Sequence, residues 1–223
     1  QRLYPTLEIE VVVVEPGREN IEDYKALIRQ QNFQNVRFTW RQETSQQFQT
    51  MSTGQRKFHL ILSMEALYYE ENVTKAIEFY TNHLAEKGIF FVTIGTSDCS
   101  WNRINTLKPD YKESIFGSDD VRRALVQLRD TVADKMTSPA LNFEEVVQLN
   151  RFEIDPVFYT EPNTEGDALI DFISHVANFR DSVSEEELEN FLELIKTCAE
   201  YDENEESILW NMDFAMFIIT LQR

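Results

Sequence analysis

The run Leu7-Glu8-Ile9-Glu10-Val11-Val12-Val13-Val14 stops at Glu15-Pro16-Gly17, and apolar residues spaced by three and four follow at once in Ile21, Tyr24, Leu27 and Ile28. A β-branched run of this kind reads as a strand, and the spacing after it as one face of a helix from Glu19 to Gln31. In open α/β sheets, a carboxylate at the C-terminal end of a strand is where a ribose hydroxyl pair is gripped. The companion of such a carboxylate is a Gly-rich turn after the preceding strand, where the backbone must approach the nucleotide closely. No strand and no such turn stand before Leu7, and all six glycines (Gly17, Gly54, Gly88, Gly95, Gly117, Gly166) are isolated. The chain thus points to a nucleotide-type fold while showing half of its nucleotide site.

Further along, Val36-Arg37-Phe38-Thr39-Trp40 alternates as a strand, and Glu43 to Met51 reads as a short polar helix anchored by Phe48 and ended by Gly54. Phe58 to Ser63 has the continuous apolar character of a buried strand. Val73 to Leu84 places Ile77, Tyr80 and Leu84 on one helical face, with Gly88 expected as the C-cap, and Ile89 to Ile94 is an apolar strand. This βαβα alternation predicts a mostly parallel sheet with helices on both faces. In the second half, Ser118-Asp119-Asp120 opens a helix through Leu128, and Val146 to Ile154 is expected as a strand. Ser184-Glu185-Glu186-Glu187 is a capping-box pattern before the stripe Leu188, Phe191, Leu192, Ile195 and Cys198. After the acid-rich Asp202 to Glu206 loop, Ile208 to Ile219 is expected as one long strand or a hairpin.

Composition narrows the function classes. With 223 residues and 42% hydrophobic content the chain can bury one substantial core, and no Pro/Gly/Ser-rich stretch divides it, so residues 1–223 are read as a single domain. Its 21 basic and 39 acidic residues give a formal charge of −18, which argues against nucleic acid and anionic membrane surfaces as partners. The absence of a long apolar run or a leader pattern, together with two isolated cysteines, Cys99 and Cys198, reads as a soluble, cytoplasmic chain. His59, His83 and His175 have no metal-ligand spacing, so no metal is expected.

The residues that could carry chemistry are few. Glu15 fits a ribose acceptor and equally a helix N-cap neighbour stabilised by the helix dipole. Thr44-Ser45 fits an adenine contact or a simple cap. The stretch Ser63-Met64-Glu65-Ala66-Leu67-Tyr68-Tyr69 follows a buried strand, where loops reach into the crevice of such sheets. Its methionine and tyrosines could pack on an adenine, enclose a cation, or belong to the core. Trp101, Trp210 and Phe214 could add to an aromatic pocket or serve as packing. No Ser/His/Asp triad, phosphate loop or metal motif is present.

Taken together, Val12-Val13-Val14-Glu15-Pro16, Ile21-Glu22-Asp23-Tyr24-Lys25, Val36 to Ser45 with Trp40, Leu67-Tyr68-Tyr69, Gly166-Asp167-Ala168-Leu169 with Asp171-Phe172, and Asn178-Phe179 resemble the histamine N-methyltransferase family. The resemblance implies a class I methyltransferase fold: a Rossmann-like α/β three-layer sandwich with a mostly parallel sheet, an antiparallel C-terminal strand, and the family's first strand missing. It implies S-adenosylmethionine as cofactor, with Glu15 on the ribose, Asn20 where the family has a neighbouring cofactor contact, Ser45 at the adenine side and Met64 at its hydrophobic contact. Tyr68, Tyr69 and Trp101 would line the pocket for a small-molecule amine, and Asn211 would stand at the family's substrate-binding asparagine. The chain departs from the family in having His59 for an aspartate and in lacking the Gly-rich loop and the N-terminal helix with its substrate-binding acid. It is therefore expected to be N-terminally truncated relative to the family and impaired in cofactor binding, with self-association or a partner chain completing the sheet. The alternatives are a non-catalytic, methyltransferase-derived binding protein and a fragment of a longer enzyme.

Overall fold

A computed structural model describes residues 6–31, 33–51, 56–107, 116–133, 140–158, 163–174, 176–202 and 207–222. The chain falls into two compact units, Gln1–Arg56 and Lys57–Arg223. The first holds β1 (Ile9–Val14), α1 (Arg18–Gln31), β2 (Val36–Arg41) and α2 (Ser45–Met51). β1 and β2 pair in parallel from Ile9↔Val36 to Val14↔Arg41. This is the right register for a strand–helix–strand crossover, and the 14-residue α1 supplies its length. Phe38 and Trp40, two apart on β2, share a face of the strand; their rings stack at 5.7 Å, and Tyr24 of α1 meets Trp40 edge-on at 5.5 Å.

The second unit runs β3 (Phe58–Met64), α3 (Val73–Asn82), β4 (Leu84–Gly95), α4 (Ser100–Leu107), α5 (Ser118–Ala133), β5 (Ala140–Gln148), β6 (Arg151–Glu153), α6 (Thr164–Ser174), α7 (Phe179–Ser182), α8 (Glu185–Cys198), β7 (Glu200–Tyr201), β8 (Ile208–Asn211) and β9 (Phe214–Gln222). Its main sheet has the order β3-β4-β9-β5. β3 and β4 are parallel, while β9 lies antiparallel to both β4 and β5, so three strands share one direction and the C-terminal strand opposes them. β6, β8 and β7 form a small antiparallel sheet of their own.

Two cores result. Ile77 of α3, Leu125 of α5, Phe90, Val92 and Ile94 of β4, and Phe217 and Ile219 of β9 are fully buried together. Full burial of such a side chain contributes roughly 1.5–3 kcal/mol. The second core joins Ile104, Ile154, Ile170, Ile195, Cys198 and Trp210. Its Trp210 is fully buried on β8, so it serves as packing and not as part of an aromatic pocket.

Four sequence expectations are corrected. α3 ends at His83, whose ring nitrogen lies 2.7 Å from the Phe79 carbonyl, and Gly88 sits inside β4, not at a helix end. Lys87 takes a left-handed φ of 59° beside Gly88, where a Cβ would lie 2.8 Å from the Phe58 carbonyl oxygen, and the β3–β4 register shifts there. The strand expected from Val146 to Ile154 is two strands in different sheets, because the Asn150 N–H is drawn to the Asp213 carboxylate at 2.7 Å. The segment from Ile208 to Ile219 is neither one strand nor a hairpin. β8 and β9 belong to separate sheets, and the chain crosses between them at Met212-Asp213. The helix from Ser118 extends beyond Leu128 to Ala133. The capping box at Ser184 forms as expected with Glu187, whereas Gly54, His175 and most of the Asp202 to Glu206 loop lie outside the described residues.

Candidate functional site

In the first unit, β1 delivers Glu15 to the start of α1. The Gly17 N–H donates to Glu15 Oε1 at 2.7 Å, and Asn20 Nδ2 donates to the same oxygen at 3.0 Å. The two residues named from sequence as neighbouring cofactor contacts are therefore directly bonded. A Cβ at Gly17 would fall 2.8 Å from both Glu15 Oε1 and Asn20 Nδ2, so a side chain there would push these two groups out of their present arrangement. Both bonds fall on one oxygen, and Glu15 Oε2 has no partner among the described residues. The helix-cap and ligand readings are thus compatible: one oxygen serves the chain and the other makes no hydrogen bond among the described residues.

At the end of β2, Thr44 forms a capping box with Gln47. The Gln47 N–H donates to Thr44 Oγ1 at 3.2 Å, and the Thr44 N–H to Gln47 Oε1 at 2.9 Å. Thr44 is thus committed to starting α2. Ser45 follows as the first helical residue, its hydroxyl donating to Gln46 Oε1 at 3.2 Å.

In the second unit, β3 ends at Met64, which is 54% exposed. Glu65 follows with a left-handed φ of 46°, uncommon for a residue with a side chain. Its N–H donates to the Thr93 carbonyl at 3.0 Å, and its carboxyl faces the Thr93 hydroxyl and the Gly95 N–H. Burial pushes this carboxyl above its ordinary value, outweighing the two hydrogen bonds that act in the opposite sense. A short 3-10 turn then presents Tyr68 and Tyr69, with ring centroids 4.5 Å apart. Tyr68 is half-buried against the first core and its phenol is pushed up, chiefly by burial, whereas Tyr69 is 69% exposed. Burial likewise raises the Cys99 thiol to about 11.

Trp101, on the first turn of α4, packs its ring 5.5 Å from Phe172 of α6, a partner that local sequence pattern could not reveal. Its neighbour Ser100 receives the Asn211 backbone N–H at 3.0 Å and donates to the Cys198 carbonyl at 2.7 Å. Asn211 itself is 3% exposed, its amide bonded to Glu200 at 2.9 Å and its carbonyl oxygen accepting the Asp213 N–H at 2.9 Å. The structure therefore brings together Glu15 with Asn20, and Tyr68 with Tyr69, and it links Asn211 to the start of α4. Sequence reasoning noted Glu65 only as a carboxylate in its stretch; the strand before it, expected from sequence to be buried, leaves Leu60, Leu62 and Met64 exposed.

Several stretches that carry the resemblance have structural duties. A Cβ at Gly166 would lie 2.1 Å from the Pro156 carbonyl oxygen. The Asp171 carboxylate accepts the N–H groups of Asn178 at 2.7 Å and Phe179 at 2.8 Å, which fixes the left-handed Asn178 ahead of α7. Among the described residues, no group of His, Cys, Asp and Glu side chains is placed to hold a metal, and no helix is long and apolar enough to cross a membrane.

No protein-family model matches the chain. Histamine N-methyltransferase of Bos taurus is 26% identical over 189 residues, covering 80% of this chain and 60% of its own length. Histamine N-methyltransferase A of Xenopus laevis is 26% identical, again over 60% of its length, and the Mus musculus enzyme is 24% identical over 98% of this chain and 74% of its own. The chain thus spans about three fifths of the length of the first two relatives. Among solved structures, the YcgJ protein from Bacillus subtilis superposes with a TM-score of 0.56 at 15% identity, covering 96% of this chain and 82% of that one. A putative methyltransferase from Bacillus halodurans C-125 gives 0.53 at 12% identity, covering 96% and 83%. The chain is similar in sequence to histamine N-methyltransferases and has the Rossmann-like fold of class I methyltransferases.

Proposed function

We propose that this chain binds S-adenosylmethionine and is an N-methyltransferase of small amines, of the kind its curated relatives are named for. The observation that supports this most is the Glu15 cradle: a carboxylate at a strand end, held on one oxygen by Gly17 and Asn20 and with no hydrogen bond on the other among the described residues. A ribose diol needs such an acceptor, and bonds to a charged acceptor are about twice as strong as neutral ones. Glu15 and Asn20 would hold the ribose, and Ser45 would stand on the adenine side. When bound, the cofactor supplies an electrophilic sulfonium methyl group.

In the second unit, Tyr68 and Tyr69 offer π faces to an amine nitrogen, and Trp101, braced by Phe172, offers a third aromatic surface. Met64 presents an exposed apolar surface at the end of the strand that leads to the tyrosines. Asn211, its buried amide taken up by Glu200 and the Asp213 N–H, would act only by tying its backbone to the start of α4 next to Trp101. The side chains' task is to position the amine and exclude water, which supplies most of the rate when a neutral amine attacks directly.

Calorimetric titration of the chain with S-adenosylmethionine and with its demethylated product tests the reading. Micromolar binding is expected. No heat up to millimolar ligand would overturn it in favour of a methyltransferase-derived binding protein.

A further inference from the structure

The main sheet of the second unit has two edge strands of different chemistry. β5 carries Glu144 and Glu145 in mid-strand, with Arg122 paired to Glu145, and charge of this kind resists pairing with another chain. β3, Phe58-His59-Leu60-Ile61-Leu62-Ser63-Met64, has no Lys, Arg, Asp, Glu or Pro. Among the described residues it pairs with β4 alone. The Phe58 N–H donates at 2.8 Å to the carbonyl of His83, directly before β4. Alternation along the strand then turns the N–H and C=O groups of His59, Ile61 and Ser63 to the open side.

The side chains of β3 add an apolar stripe to this edge. Ile61 packs against the first core, whereas Leu60, Leu62 and Met64, on the opposite face, are 55, 59 and 54% exposed. Ile89, which pairs with Leu60 from β4, is exposed beside them. Contiguous apolar patches mark interaction surfaces, and an uncharged edge is a template for a further strand.

The two ends of the strand identify the strand that fits. Lys57 stands directly before β3 and Glu65 directly after it, both exposed, and the Lys57 ammonium donates to a neutral acceptor, the Asn82 carbonyl, at 2.5 Å. An antiparallel second copy of β3 centred on Ile61 satisfies these groups together. Ile61 then lies opposite Ile61 of the second copy, Leu60 opposite Leu62, Phe58 opposite Met64, and Lys57 opposite Glu65. Two-fold symmetry forms each unlike pair twice, and apolar and opposite-charge pairs across strands are both favourable. The β1 strand of the first unit lacks this self-complementarity. Glu8, Glu10 and Glu15 stand along it with no Lys or Arg from Leu7 to Pro16, so self-pairing sets acid against acid.

We propose that the free edge of β3 is a homodimer interface: two copies pair antiparallel about Ile61, joining their four-stranded sheets into one continuous sheet. The main-chain groups of His59, Ile61 and Ser63 bond to those of Ser63, Ile61 and His59 in the second copy. The Leu60–Leu62 and Lys57–Glu65 pairs fix the register. The interface is independent of the cofactor and amine readings above.

Analytical ultracentrifugation of the chain from micromolar to millimolar concentration tests this, and a monomer–dimer equilibrium is expected. Leu62→Lys sets a charge into the stripe at an exposed position and should weaken the dimer by about tenfold or more. Val146→Lys, at a position 50% exposed on the opposite edge strand, should leave it unchanged. Lys57→Glu sets acid opposite Glu65 and should weaken association by about tenfold, and adding Glu65→Lys to it should restore most of the loss. Circular dichroism confirms that each variant is folded. A wild-type chain that stays monomeric, a folded Leu62→Lys chain that dimerises as before, or equal losses in Leu62→Lys and Val146→Lys overturns the proposal. A folded double variant that recovers no association overturns the register about Ile61. The contrast between Leu62→Lys and Val146→Lys stands by itself if the double variant does not fold.

Discussion

Asn20 Nδ2 lies 3.0 Å from Glu15 Oε1, so the amide that opens α1 orients the carboxylate that ends β1. Replacing Glu15 by Ala should weaken S-adenosylmethionine binding by about 1.5–3 kcal/mol, the range for hydrogen bonds to a charged group. Asn20→Ala should weaken it less, because the Gly17 N–H still holds Oε1 at 2.7 Å. Calorimetry on the two variants checks the order; equal losses would mean that Asn20 contacts the ligand itself.

Thr44 and Gln47 satisfy each other's backbone N–H groups at the start of α2. Thr44→Ala should cost about 1 kcal/mol, as N-cap losses do. In a chain of this size that corresponds to a fall of about 2–4 °C in Tm. Circular-dichroism melting measures it, and Thr44→Ser should restore most of the loss.

Glu65 should reduce stability at neutral pH. Its folded-state pKa is raised, so the folded chain favours the protonated carboxyl. The favourable contribution is present below the ordinary carboxylate pKa and is lost as pH rises through the raised folded value. Glu65→Gln should therefore raise Tm at pH 7–8 and leave it nearly unchanged near pH 4. Melting curves across that range decide the matter; a loss of stability at pH 7–8 would show that the carboxylate is well paired.

Asp213 joins the two sheets of the second unit at the β8–β9 crossing. Its carboxylate accepts the Asn150 N–H and pairs with Arg151, and its backbone carbonyl accepts the Thr96 N–H at 2.9 Å. Asp213→Ala leaves the Asn150 N–H unpaired and should cost about 2–3 kcal/mol, the scale of a lost bond with a charged partner. Urea unfolding, with an unchanged m-value, gives the measurement.

Cys99 and Cys198 are buried free thiols, both raised by burial, Cys99 to about 11. Thiolate is the reactive form, so neither should react with a chromogenic disulfide reagent within minutes in the native chain at pH 8. Both should titrate in denaturant.

Most of the elements were legible in the residues. The valine run with Glu15, the three-and-four spacing of α1, and the capping box of α8 depend on neighbours within a few positions, and local chemistry alone sets them. The breaks at Leu149-Asn150 and Met212-Asp213 were not legible, because Asn150 and Asp213 meet across 63 positions of sequence. Gly88 was misread for a related reason: a glycine after a helix and a glycine at a strand irregularity look alike until the Phe58 carbonyl is brought against it.

The sequence by itself determined the α/β alternation, the carboxylate at the end of β1 and the aromatic turn after β3, since periodicity and strand-end position are local properties. The tertiary structure alone decided that Asn20 serves Glu15, that Trp210 is core, and that Asn211 is bonded on both sides of its amide. Each of these depends on which distant groups share one small volume. Burial and hydrogen-bond partnership, unlike periodicity, are properties of that packing and not of the local chain.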